Sequence, residues 1–205
     1  MNLSATGKWI LLVLIAALSI GSVIIWHRLG TDAIDQAQQQ LKAQTWLSVL
    51  PQTLYDNHPL QAPLALDTAP LAHSRLLAGY RATLAGQPSA VVLHSLAQGY
   101  GGPLELLIAI DSQGRLIGSK VLRQQETPGL GAAVAAPDNH WLQGFVGNSR
   151  QTTPDAAWSL KRDNGQFDQL AGATITSRAV IHAVHDALRY FDEHRQVLLG
   201  ERSNE

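Results

Sequence analysis

From Trp9 to Trp26 the chain reads WILLVLIAALSIGSVIIW, eighteen residues without a charge. As a helix rising about 1.5 Å per residue, this run would span roughly 27 Å, close to the thickness of a hydrocarbon core. Tryptophan stands at both ends, where its ring suits the headgroup interface, and Lys8 and Arg28 lie just outside. Ala17 and Ser19 could serve as the small residues of a signal-peptide cleavage site. The apolar run nevertheless continues from Ile20 to Trp26, so the segment reads as a retained single-pass anchor. A core helix would need a polar face, and only Ser and Gly interrupt this one. Lys and Arg flank both ends about equally. A short N-terminal tail ahead of a large soluble part has the layout of an uncleaved anchor, with residues 27–205 outside the cytoplasm.

The anchor sets the plan for the rest of the 205 residues: a tail at 1–8, the span at 9–26, a stalk and linker at 27–70, one globular domain at 71–199 and a tail at 200–205. Hydrophobic residues at 45% and charged residues at 15% are too apolar a mixture for a disordered chain. A net charge of −1 leaves no basic surplus for phosphate backbones, so no nucleic-acid partner is expected. The absence of cysteine excludes disulfides, thiolate iron–sulfur clusters, CxxCH haem attachment and a cysteine nucleophile. Redox chemistry would then need an organic cofactor or a metal held by His and carboxylates.

Residues 32–50 are rich in helix formers and end at Pro51; their polar first half reads as a stalk, with Trp46, Leu47 and Leu50 docking on the domain. Pro51, Pro59, Pro63 and Pro70 mark a linker or wrapping loop. Strand patterns follow at Leu76–Thr83 and Ala90–Gln98, separated by Gly86-Gln87-Pro88, and at Leu104–Ile110 and Arg115–Leu122 around the turn Asp111-Ser112-Gln113-Gly114. A short helix is expected over Asp138–Phe145 and a strand over Ala157–Arg162. A final helix is expected from Arg178 to about Leu199, with Val180, Ile181, Val184, Leu188 and Phe191 on one stripe. Strands first and a closing helix predict an α+β fold with antiparallel strands.

The stretch Asp168–Ser177, DQLAGATITS, leads into that helix. Gly172 permits a tight backbone, and Thr174, Thr176 and Ser177 set three hydroxyls where unpaired amides and the helix dipole favour an anion. On spacing alone, Thr176 or Ser177 as an ordinary N-cap accounts for the same residues. Thr127-Pro128-Gly129 is a type II turn sequence, and Gly99–Gly102 a flexible turn. His182 and His185, three apart, are within reach of a common ligand. Helical geometry turns His182 off the apolar stripe and His185 to its flank, so both read as solvated and no metal site is expected. Neither paired carboxylates nor a nucleophile elbow indicate a catalytic residue.

Asp168, Gly172, Ala173 and Thr174 resemble the D-x-x-[ST]-G-A-T motif of the FMN-binding domain family, in which the last threonine carries the flavin. Gly99-Tyr100-Gly101-Gly102-Pro103, Glu126-Thr127-Pro128-Gly129-Leu130-Gly131, Trp141 with Phe145, and Phe167-Asp168-Gln169 resemble the G subunit of the Rnf (Rsx) electron transport complex, in order along nearly the whole chain. The C subunit of the sodium-translocating NADH:quinone reductase shares the threonine motif and is the second resemblance. The resemblance implies FMN held through a phosphoester to Thr174, installed by a transferase that uses FAD and magnesium. It implies Gly172, Ala173, Thr176, Ser177, Glu126, Thr127, Gly129 and Leu130 around the cofactor. The partners it implies are the other membrane and peripheral subunits and membrane lipid, with the domain on the periplasmic side of the inner membrane. The chain would be an enzyme only as part of an ion-translocating assembly. Two positions depart from the family pattern. Ala171 replaces the usual Ser or Thr, and Ala132-Ala133-Val134 stands where polar residues are usual, which implies a lost surface contact. A reading from a different class is a membrane-anchored assembly module without covalent flavin.

Overall fold

The computed structural model describes residues 9, 13–22, 26, 41–66, 70–137 and 139–200. The chain divides into two compact units, Met1–Trp46 and Leu47–Glu205. In the first, residues 13–22 and 41–46 are helical. Val13, Leu14, Ile15, Leu18 and Ile20 are all exposed, while Ser19 and Ser22 donate their hydroxyls to the carbonyls of Ile15 and Ser19, both at 2.8 Å. The helix thus satisfies its own polar groups and presents apolar side chains outward. Among the described residues no helix is long and apolar enough to cross a membrane; residues 10–12 and 23–25 of the expected span, like 27–40 of the stalk, lie outside them.

The second unit is built on a four-stranded antiparallel meander in the order β1-β2-β3-β4. The strands are β1 (Ser74–Leu84), β2 (Gln87–Gln98), β3 (Pro103–Asp111) and β4 (Leu116–Arg123). Leu93 opposes Ile108 and Val91 opposes Ile110, so side chains of alternate residues meet on one face. That face packs against the helix Thr174–Glu193, whose Val180, Ile181, Val184 and Phe191 are fully buried. The opposite face is buried too, at Val92, Leu107 and Ala109. There the chain before β1 crosses β4: the Val49 carbonyl would lie 2.8 Å from a Cβ at Gly118, so only glycine admits it. The Pro-rich segment wraps the sheet and hydrogen-bonds to β1, Leu64 N–H donating to the Gly79 carbonyl at 2.8 Å beside the Pro63–Tyr80 bridge.

The turn of β3–β4 forms as its sequence predicts. Asp111 Oδ1 accepts the amides of Gln113 and Arg115 at 2.9 and 2.8 Å, and Gly114 takes a positive φ of 85°. The β1–β2 turn falls earlier than expected, on Ala85 and Gly86, both at positive φ. Gln87 and Pro88 already belong to β2, Pro88 sitting opposite Thr83 beside a register shift that spares it an amide donor. The strand expected over Ala157–Arg162 is absent. Short 3-10 turns at Asp155–Ala157 and Lys161–Asp163 flank a single bridge between Leu160 and Phe167. The helix expected near Trp141 is a 3-10 turn, Trp141–Phe145; Asp138 lies outside the described residues. The closing helix starts at Thr174, four residues before the expected Arg178, and breaks at His194 into a short helix Arg195–Leu199.

Candidate functional site

Phe167 holds the chain that enters the site. Its ring stacks on Phe145 at 4.6 Å and lies 5.0 Å from Trp158, while Trp141 meets Phe145 edge-on at 4.9 Å. Trp141 Nε1 donates to the Asp168 carbonyl at 2.8 Å, and Lys161 pairs with the Asp168 carboxylate at 2.6 Å. Two residues on, the Leu170 amide donates to Ser177 Oγ, and Ser177 Oγ donates to the Ala173 carbonyl. Gly172 then turns the chain at φ 71°, where a Cβ would stand 2.6 Å from Leu130.

This path leaves Ala173 at the helix N-cap with no side-chain cap. Thr176 and Ser177, expected as caps, lie inside the first turn and are buried. The first-turn amides of Thr174, Ile175 and Thr176 have no intrahelical acceptor. Thr174 is half-buried and its hydroxyl donates to Gln169 Oε1 at 3.0 Å.

The facing wall is organised by a carboxylate. Glu126 is buried; its Oε2 accepts the Thr176 hydroxyl at 2.6 Å and its Oε1 accepts the Gly101 amide at 3.2 Å. A Cβ at Gly131 would stand 2.5 Å from Glu126 Oε2 and 2.8 Å from Thr176 Oγ1, and one at Gly99 would also collide with the carboxylate. After it, Leu130 N–H donates to the Thr127 carbonyl at 3.1 Å with Gly129 at φ 77°, the expected type II turn.

Between these walls lies a cleft of about 300 Å³, lined by Tyr100, by Glu126, Thr127, Leu130 and Gly131, and by residues 172–176. Tyr100, Leu130 and Ile175 expose apolar surface at its rim. The structure therefore gathers Thr174, Gly172, Ala173, Thr176, Glu126, Thr127 and Leu130 at one place. Gly129 shapes the turn and Ser177 braces the helix start, both without lining the cleft. Tyr100, Gly131 and Ile175 line it as well; they are not among the residues the resemblance sets around the cofactor, although they sit in the Gly99–Pro103, Glu126–Gly131 and Asp168–Ser177 stretches. Val134, expected at a lost surface contact, is buried in the core. A larger groove of about 670 Å³ runs between residues 48–51 and β4 and contains none of the motif residues.

The two helix histidines are less solvated than their spacing implied. The His182 ring lies 4.2 Å from that of His73, and burial together with the His73 charge pushes its pKa down. His185 stacks on Trp158 and meets Asp155 at 3.0 Å. Among the described residues, no group of His, Asp and Glu is placed to hold a metal ion.

A sheet closed by one helix, with an anion-ready helix start facing a glycine-lined cleft, agrees with the sequence pattern of the FMN-binding domain, which matches residues 99–189 and so spans the whole cleft. The chain is 42% identical over 198 residues to the G subunit of the ion-translocating oxidoreductase complex of Pseudomonas aeruginosa (strain UCBPP-PA14), covering 93% of this chain and 90% of that one. It is 40% identical to the same-named protein of Stutzerimonas stutzeri, over 86% of this chain and 76% of that one. A third relative of that name, from Vibrio cholerae serotype O1 (strain M66-2), is 36% identical over 92% and 91%. The chain belongs to the family of G subunits of Rnf-type ion-translocating oxidoreductase complexes.

Proposed function

We propose that Thr174 carries FMN through a phosphoester on its Oγ1, and that the chain passes electrons within an Rnf-type complex that couples electron flow to ion translocation. The observation that carries this reading is the position of Thr174, the first residue of a 20-residue helix at the mouth of the cleft. A phosphate on that hydroxyl would meet the unpaired first-turn amides and the positive end of the helix dipole. The positive φ of Gly172 brings the turn close without a side chain in the way. Tyr100, Leu130 and Ile175 offer apolar faces to a planar ring, and Thr127 and Glu126 offer polar contacts. Bound FMN supplies reversible electron storage, while this chain supplies position, polarity and access. Attachment falls to a transferase that uses FAD and magnesium. The chain's catalytic role is that of one component of an ion translocase, with no bond-making residue of its own.

Residues 9–26 anchor the chain as a single pass in the inner membrane, with the domain on the periplasmic side. The outward apolar side chains of residues 13–22 support this placement. A covalent link suits that compartment, because a flavin lost there is not readily replaced. The other membrane and peripheral subunits and membrane lipid are the partners.

The test is to express the full chain with its transferase, denature it and look for flavin fluorescence in the gel band. Wild type is expected to fluoresce and Thr174→Ala to be dark. Equal fluorescence in both, or a dark wild-type band whose Thr174 peptide has the unmodified mass, overturns the covalent reading.

A further inference from the structure

Glu126 is the one acidic side chain among the cleft's described lining residues, and it is only 7% exposed. Both its oxygens act as acceptors, toward the Thr176 hydroxyl and the Gly101 amide. Among the described residues no Lys, Arg or His lies within 4.0 Å to neutralise it. The backbone is shaped around it, since Gly99 and Gly131 are the positions where any Cβ would strike its oxygens. Holding three chain segments together would not require a charge. A glutamine amide could accept from Gly101 through oxygen and donate to Thr176 through nitrogen, the threonine hydroxyl simply reversing its role. A buried carboxylate with no cation beside it exerts a field that solvent screens less than it would at an exposed site.

We propose that Glu126 is a potential-setting residue: its fixed negative charge opposes electron density arriving on the cofactor and keeps the bound flavin's reduction potential low. This rests on the cleft's being the FMN site. Electrons added to the flavin there would enter the field of a charge already lining the same cleft, so removing that charge makes reduction easier.

The experiment is a dithionite titration of full-length holoprotein, wild type against Glu126→Gln and Glu126→Asp, monitored by flavin absorbance with a reference dye. Glu126→Gln is expected to shift the reduced-to-oxidised ratio at fixed poise at least tenfold toward reduced, about 30 mV for a two-electron couple. Its urea midpoint should match wild type, and Glu126→Asp should keep a potential near wild type. A fluorescent Glu126→Gln band with an unmoved potential overturns the proposal alone. A wild-type chain with no covalent flavin overturns the cofactor reading, and this proposal with it. If Glu126→Gln does not fold, Glu126→Met replaces it. That change removes the charge with an apolar side chain of similar length and should move the potential the same way, and no movement there is equally fatal.

Discussion

At its far end the closing helix is finished with care. The His194 amide reaches back to the carbonyls of Tyr190 and Phe191, and the short helix after it ends on Gly200 at φ 73°. Arg81 comes across from β1 and donates to the last carbonyls, Nε to Leu198 at 2.6 Å and Nη2 to Val197 at 2.8 Å. The near end has no such finish: Ala173 cannot cap, and the hydroxyls of Thr176 and Ser177 go to Glu126 and to the Ala173 carbonyl instead of to first-turn amides. A cationic side chain at a helix C-terminus contributes stability, whereas open amides at an N-terminus forgo it. The contrast separates an end built to hold the fold from an end left ready for an anion.

Substitutions can break that contrast. Arg81→Ala removes two charge-assisted hydrogen bonds and should lower stability by about 1.5–3 kcal/mol in urea unfolding, with flavin attachment per folded molecule unchanged. A loss of attachment equal to the loss of stability would mean the two ends are not separable. Gly172→Ala forces a side chain into a left-handed turn and against Leu130. It should cost about 1 kcal/mol and reduce in-gel flavin fluorescence per chain by more than that loss of fold explains. The smallest effect lies between the ends, where Asp155 joins the loop before the site to the helix. Hydrogen bonds from Arg150 and then His185 hold its carboxyl well below the ordinary 3.8, at about 2. The depressed value means the contact contributes fully above pH 3.8 and is lost as the pH falls through about 2. Asp155 is mostly exposed, so the contribution is a few tenths of a kcal/mol. Urea midpoints of wild type and Asp155→Asn should therefore differ slightly at about pH 5 and converge toward about pH 2.

The meander was legible because each strand carries its own local signal. Asp111 to Gly114 marks one hairpin unaided, and the strand ends fall within three residues of their sequence expectation. Where residues act over distance, local reading fails. Trp158 and Leu160 look strand-like in their own stretch, but they are buried as anchors of an irregular loop, Trp158 beside Phe167 and His185. Thr176 and Ser177 read as candidate caps because a cap is what nearby residues can supply. Only the tertiary structure reveals that Thr176 serves a carboxylate 50 residues away. Glu126 was legible as a member of a turn motif, but its role as the junction of three segments was not, since its partners Gly101 and Thr176 are remote in sequence.

The order in which the elements are made also matters. Each of β2, β3 and β4 pairs with the strand just before it in sequence, so the sheet needs no remote segment to assemble. The cleft draws on Tyr100 at one extreme and Thr176 at the other, and the helix that completes it follows all four strands in the chain. The sheet can therefore exist before the cleft does, and a chain whose closing helix has not docked has no finished cleft to offer.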